Sequence, residues 1–348
     1  MHINVEEVKK RLSKLEKLLM NAKGEDERLN YSRDISTLKI ILGYLSDEKY
    51  TDFFDVGMYG KYTDIKNNEA INFFNRYSKD IYKSLYCYAV GIKLPWRVIR
   101  DTKISSSDYF KLLEDFFKKY DERLLDLYKV MEREERIELL SKKYVINRSA
   151  LGLNIHLTSF NDSYIFSRFN NRISTSSILP HELGHAYLLD GTSTTEGLIN
   201  KSASLFSEAY SIFLELVFFD YLKGTKYSKC AIREEYGKLD SFLLLADYQY
   251  GSILGLQNMS VKDGNLYSSD GKVVNTYTSK LMLSDILAMH LLNLYRSDRK
   301  MFERELDAFF YMFGSASDEE IMAHYNLNDM IDSTRTIMNS YVRNFKKK

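Results

Sequence analysis

Proline and glycine are scarce, 2 and 16 in 348 residues, against about 5% and 7% in average usage. An all-β sandwich or barrel turns about every 8–12 residues and would carry more of both. Long helices need neither, so the chain is expected to be mainly α-helical. There are only two cysteines, Cys87 and Cys230. They exclude a disulfide scaffold, show no metal-type spacing and read as small apolar core residues. An excess of one charge is also missing, since 49 Lys and Arg face 48 Asp and Glu for a net charge of +1. A global attraction to nucleic acid or to an anionic membrane is therefore excluded, and neither is expected as a partner. No apolar run reaches the roughly 18 residues of a membrane-spanning helix. Glu6 and Glu7 stand where a signal peptide would have its apolar stretch. A soluble, cytoplasmic protein is expected. What the chain does have is core material, 45% hydrophobic and 14% aromatic, which rules out a mostly disordered chain.

Residues 4–22 place Val5, Val8, Leu12, Leu15 and Leu19 at steps of three and four, an amphipathic helix that Gly24 is expected to end. Helical patterns follow over 27–46, 67–92, 106–119 and 121–140, with an irregular stretch at 49–63. The texture changes near 144. Tyr144-Val145-Ile146, Leu151 to Leu157 and Tyr164 to Phe169 are strand-like, with a turn at Asn161-Asp162-Ser163, so a small sheet built around a hairpin is expected. Helices resume over 176–189, 199–222 and 228–255. Turn signals at 262–265 and 268–272 bracket a polar stretch, and helices over 277–295, 298–313, 317–324 and 327–344 close the chain. The best boundary lies near 140, between a helical N-terminal region, 1–140, and a mostly helical catalytic region, 141–348.

One motif carries chemistry. Residues 181–185 read His181-Glu182-Leu183-Gly184-His185, the H-E-x-x-H pattern. Spacing of four puts both imidazoles on one helical face, where both can reach a single tetrahedral zinc. Glu182 lies beside the first ligand, placed to face a water without itself binding the metal. No His occurs between 185 and 290, so a carboxylate is the alternative third ligand. On the next helix Glu208 and Glu215 stand seven residues apart among apolar neighbours, where a carboxylate is costly unless paired or metal-bound. Glu196 suits a helix N-terminus better. Glu208 is the expected ligand and Glu215 the expected partner of a ligating imidazole. Pro180 implies that the helix begins near Ser176–Ser177, with the proline in its first turn. His156 reads as a hydrogen-bonded sheet histidine, and His290 and His324 carry no assigned chemistry.

The stretch resembles the M3 family of zinc oligopeptidases, in particular its oligoendopeptidase F branch, a gluzincin type with an H-E-x-G-H helix followed by E-x-x-S on a second helix. Here Glu208-Ala209-Tyr210-Ser211 begins 27 residues after His181. Arg148-Ser149-Ala150-Leu151 and Asn275-Thr276-Tyr277-Thr278-Ser279-Lys280 resemble the flanks. The resemblance implies a zincin-like fold with a small sheet beside the active-site helix. It further implies one zinc per chain on His181, His185 and Glu208, with Glu182 as general base and Tyr277 as hydrogen-bond donor to the oxyanion. The implied activity is endopeptidase cleavage of oligopeptides, with a peptide as the partner and the edge strand over 150–157 open to substrate pairing. The chain would be a shortened member. It departs from the family in having Leu188 where a histidine often stands, and in having no histidine over 262–276, where Tyr267 or solvent would have to serve. Those departures leave two other readings, a protease dedicated to one or few proteins and a catalytically degenerate peptide-binding homologue.

Overall fold

A computed structural model describes residues 1–46, 100–140, 152–254, 260–262, 265–267, 273–274 and 276–346. Residues 203, 240, 243–254, 260–280 and 341–346 within these ranges are described by backbone alone. The expected helix over 67–92, the irregular stretch 49–63, the strand-like Tyr144–Ile146 and Cys87 lie outside the described residues. The fold is mainly helical with a small three-stranded sheet, as expected. It divides into two compact units, Met1–Gly57 with Asp101–Ser202, and Met58–Arg100 with Ala203–Lys348.

In the first unit, α1 (Val5–Asn21) starts where the Asn4 side chain accepts from the Glu6 and Glu7 amides, both at 3.1 Å. It ends at Asn21, and Gly24 is the N-cap of α2 (Glu25–Leu45) rather than the stop of α1. Val8 and Leu15 of α1 and Ile35, Leu38 and Ile41 of α2 are buried together against one face of the sheet. Helices α3 (Ser106–Tyr120) and α4 (Glu122–Arg133) follow, capped by the side chains of Ser105 and Asp121. The helix expected over 121–140 is shorter than its pattern suggested. Glu135 takes a positive φ of 52°, and Ile137–Leu140 becomes strand β1. The cause is tertiary: Ile137 pairs in parallel with Ile165, and the buried Arg136 donates to the Ser163 carbonyl at 2.9 Å.

The expected hairpin is present. Strand β2 (Gly152–Leu157) pairs antiparallel with β3 (Asp162–Arg168). Asn161 makes the turn at φ 49°, a left-handed conformation that asparagine tolerates. The order is β1-β3-β2, so the strand before the motif is the central one and β2 is at the edge. Ile155, Leu157, Tyr164 and Phe166 point into the core shared with α1 and α2. The alternate residues face α5 (Ile178–Leu189), which packs on both β2 and β3. Helix α6 (Thr195–Ala203) follows.

The second unit is built around α7 (Ala209–Lys223), a helix buried on nearly every side, which packs against α8 (Ser228–Leu254) and α9 (Thr276–Ser297). Helices α10 (Arg299–Met312), α11 (Asp318–Tyr325) and α12 (Leu327–Lys346) complete it. The polar stretch expected only to turn holds three short antiparallel strands, β4 (Ser260–Lys262), β5 (Asn265–Tyr267) and β6 (Val273–Val274).

A single helix was expected over 199–222, and the structure breaks it at 204–208. The Asp318 carboxylate, in the first turn of α11, accepts from Ser204 Oγ at 2.6 Å and from the Leu205 amide at 3.0 Å. Ser284 Oγ donates to the Leu205 carbonyl at 2.9 Å. Backbone groups that would have continued the helix are thus satisfied elsewhere.

Candidate metal centre

The motif helix α5 begins at Ile178, and the His181 amide makes its first hydrogen bond, to the Ser177 carbonyl at 3.0 Å. Pro180 therefore falls in the first turn, where its missing N–H would have had no partner. The serines do not cap the helix as expected. Ser177 makes no side-chain cap bond, and Ser176 Oγ donates back to the Ile173 carbonyl at 2.8 Å. The start is held instead by Tyr109 of α3, whose hydroxyl donates to the Ser176 carbonyl at 2.8 Å while its ring stacks on Phe169 at 4.1 Å. At the other end Lys201 Nζ donates to the Leu188 carbonyl at 3.0 Å, which supports the last turn.

Along the sheet face beneath α5, His156 Nδ1 is 3.1 Å from Ser163 Oγ and Nε2 is 2.7 Å from the Thr192 carbonyl. A carbonyl only accepts, so Nε2 carries the proton. Burial holds this imidazole below the usual histidine range, and the Arg33 and Lys201 charges act in the same direction. His290 is also buried, with Nδ1 3.0 Å from Ser333 Oγ, and His324 Nε2 is 2.9 Å from Glu305.

His181 and His185 place their Nε2 atoms 3.1 Å apart, with ring centroids at 4.9 Å. Two imidazole nitrogens at the usual zinc distance on a tetrahedral ion stand about 3.3 Å apart, so this pair fits zinc. One ligand-type atom from each of His181, His185 and Glu208 lies within 4.8 Å of the other two. Glu182, one residue along from His181, is outside that group and is 6% exposed.

Glu208 is the N-cap residue of α7, and its carboxylate makes no capping hydrogen bond there. Glu208 stands one residue before the helix with right-handed helical backbone angles, and Glu215 follows seven residues on, in the second turn. Glu215 is buried and receives Lys238 Nζ on both oxygens, at 2.8 and 2.7 Å. Burial is the largest single effect and would lower the Lys238 ammonium, but the charge and hydrogen bond of Glu215 and the charges of Asp285 and Glu208 together outweigh it, and the result is a raised pKa. Lys238 carried no signal in the sequence, because a lysine on a helix is ordinarily a solvated residue. Tyr277 lies in the first turn of α9; its side chain and that of Tyr267 are outside the described residues. Leu188 is buried at 5% exposure.

No protein-family model and no curated protein matches the sequence. Solved structures do match. A structure from Bacillus anthracis str. Ames assigned as an oligoendopeptidase F superposes with a TM-score of 0.52 at 15% identity, over 90% of this chain and 62% of that one. One from Chlamydophila abortus assigned as a peptidase gives 0.52 at 12%, over 91% and 60%. PZ peptidase A with an inhibitor gives 0.50 at 12%, over 95% and 71%. The chain thus has the fold of oligoendopeptidase F-type peptidases, and it spans about three fifths of the length of the first two.

Proposed function

We propose that this chain is a zinc-dependent endopeptidase that hydrolyses peptide bonds of oligopeptides. The observation that carries the reading is the convergence of His181, His185 and Glu208 within 4.8 Å on a peptidase fold. These three residues would hold one zinc, which when bound acidifies water and polarises the scissile carbonyl. The chain's own residues supply the rest. Glu182 accepts a proton from the attacking water and holds it on its carboxylate. Water oxygen bonds to the carbonyl carbon, the C–N bond breaks, and Glu182 returns the proton to the departing amine. Tyr277, in the first turn of α9, is the assigned donor to the oxyanion, a role worth about 2.7–4 kcal/mol for one such group. Glu215, paired with Lys238, is assigned the orientation of a ligating imidazole. Among the described residues β2 has an unpaired edge, which a peptide backbone can extend by strand addition.

No helix among the described residues is long and apolar enough to cross a membrane. The test is cleavage of a mixed quenched-fluorescent peptide library by wild type and Glu182→Gln, each checked for bound zinc. Wild type should turn over, and Glu182→Gln should keep one zinc while kcat falls about 10²–10⁴-fold. Equal turnover by both removes Glu182 as the base. Silence from zinc-loaded wild type overturns the oligopeptidase reading in favour of a dedicated protease or a binding protein.

A further inference from the structure

Strand β2 opens on a glycine at the point where the sheet meets the base of the proposed reaction. A Cβ built on Gly152 would stand 2.8 Å from Glu182 Cγ and 2.8 Å from Ile178 Cγ2, and it would overlap Glu182 Oε1 more closely still. Real Cβ atoms do not approach heavy atoms this closely, so a side chain of any kind at 152 obliges its neighbours to move. The group free to yield is the far end of the Glu182 side chain, because Ile178 is fixed in the first turn of α5 and is 8% exposed. Glycine is otherwise a poor choice in a strand, where it has nothing to pack and costs chain entropy.

Gly152 is also fixed in place. It pairs with Ser167 on the central strand, and the alternate residue His156 is tied on the same face to Ser163 and to the Thr192 carbonyl past the end of α5. The strand therefore cannot slide away from Glu182 without breaking that register.

We infer that Gly152 is a positioning residue for the reaction, whose missing side chain leaves the space in which the Glu182 carboxylate is held against the strand. The inference rests on Glu182 being the base. Gly152 does not touch substrate in this account. It acts by letting the backbone of β2 serve as the wall on one side of the carboxylate, so that Glu182 cannot swing toward the sheet. A methyl at 152 presses on Ile178 and pushes Glu182 out, so the base is displaced by about 1 Å, and misplacement on that scale costs on the order of 100-fold.

The test is Gly152→Ala in the full chain, alone and combined with Glu182→Gln. With Gly152→Ala alone, kcat is expected to fall about 100-fold while KM stays within about threefold. Bound zinc should remain at one equivalent, and overpacking against Ile178 should lower the thermal midpoint by a few degrees while the chain stays folded at the assay temperature. In the Glu182→Gln background the side chain keeps its shape but holds no base to displace. There the same substitution should cost under about tenfold, because the two act on one group and their effects do not add. An unchanged kcat in Gly152→Ala overturns the inference, and so does an equal loss in both backgrounds, since a general weakening of the strand would not distinguish them. A crystal structure of Gly152→Ala gives a readout that needs no turnover. Glu182 displaced from its wild-type position supports the inference, and Glu182 superposing on wild type overturns it. A wild type that cleaves no peptide overturns the proposed function, and the crystal structure still decides the positioning.

Discussion

Asp318 offers the sharpest test of how the candidate ligand set is assembled. Its carboxylate takes hydrogen bonds from Ser204 Oγ at 2.6 Å and from the Leu205 amide at 3.0 Å, and Ser204 and Leu205 are both buried. Hydrogen bonds to a charged acceptor contribute about 1.5–3 kcal/mol each. Asp318→Ala removes both and leaves two buried donors without this partner. Asp318 itself is half-buried, so water repairs part of the loss, and about 3 kcal/mol of destabilisation is expected. Asp318→Asn keeps one acceptor and the shape, and it should lose about half as much. The assay is urea unfolding of the zinc-free protein, read as a midpoint shift at unchanged slope. A loss under about 0.5 kcal/mol for Asp318→Ala would refute the reasoning, since that is the size of an ordinary surface change. The second arm is zinc affinity. The segment that Asp318 pins, 204–208, ends at Glu208, and loss of an outer support of this kind weakens metal binding about 10–100-fold. Destabilisation with zinc affinity unchanged would show that Asp318 holds the fold and not the ligand.

The same contact explains where sequence reading ran out. Leu205, Phe206 and Ala209 continue an apolar helical rhythm, so nothing local says that the helix stops. What stops it is Asp318, 114 residues away from Ser204. Likewise Ile137–Leu140 has too few residues for its pattern to choose between helix and strand, and the parallel partner Ile165 makes the choice. Strands β4, β5 and β6 hold three, three and two residues, below the length at which alternation can be read. Where the determining contacts were local, the reading succeeded. The steps of three and four in α1, the β2–β3 hairpin with Asn161 at its turn, and Pro180 in the first turn of α5 are each set within a few residues of chain. The spacing of His181, Glu182 and His185 is local in the same sense. The Lys238 partner of Glu215 and the contact of Gly152 with Glu182 depend on packing, although an isolated glycine in a strand was already a signal of close approach.

Two further outcomes follow from buried charge. Lys238→Met removes the ammonium from buried Glu215 and should cost about 1–3 kcal/mol, less than for a fully buried pair because the Lys238 side chain is 46% exposed. Adding Glu215→Gln should recover most of that loss in urea unfolding, and a loss that persists would show that the pair is not its cause. The pH response rests on histidine. His156 is held below the usual range chiefly by burial, as is His290. A histidine whose folded pKa is depressed contributes stability that is complete above the unfolded value of about 6.5 and is lost as pH falls below it, because the unfolded chain takes the proton first. Each such group steepens the slope of unfolding free energy by up to about 1.4 kcal/mol per pH unit. Unfolding free energy should therefore be flat with respect to these two groups from about pH 7 to 8 and should decline between about pH 6.5 and 5. His156→Gln has no group to titrate there, so its slope in that window should be shallower than that of wild type, with the His290 share remaining. Protonation would force His156 Nδ1 from acceptor to donor against Ser163 Oγ while the Nε2 bond to Thr192 survives. The cost is thus desolvation of the cation rather than loss of the carbonyl contact. A His156→Gln slope equal to wild type would mean that the imidazole is charged in the fold at low pH without penalty, and that the packing of α5 on the sheet does not exclude it.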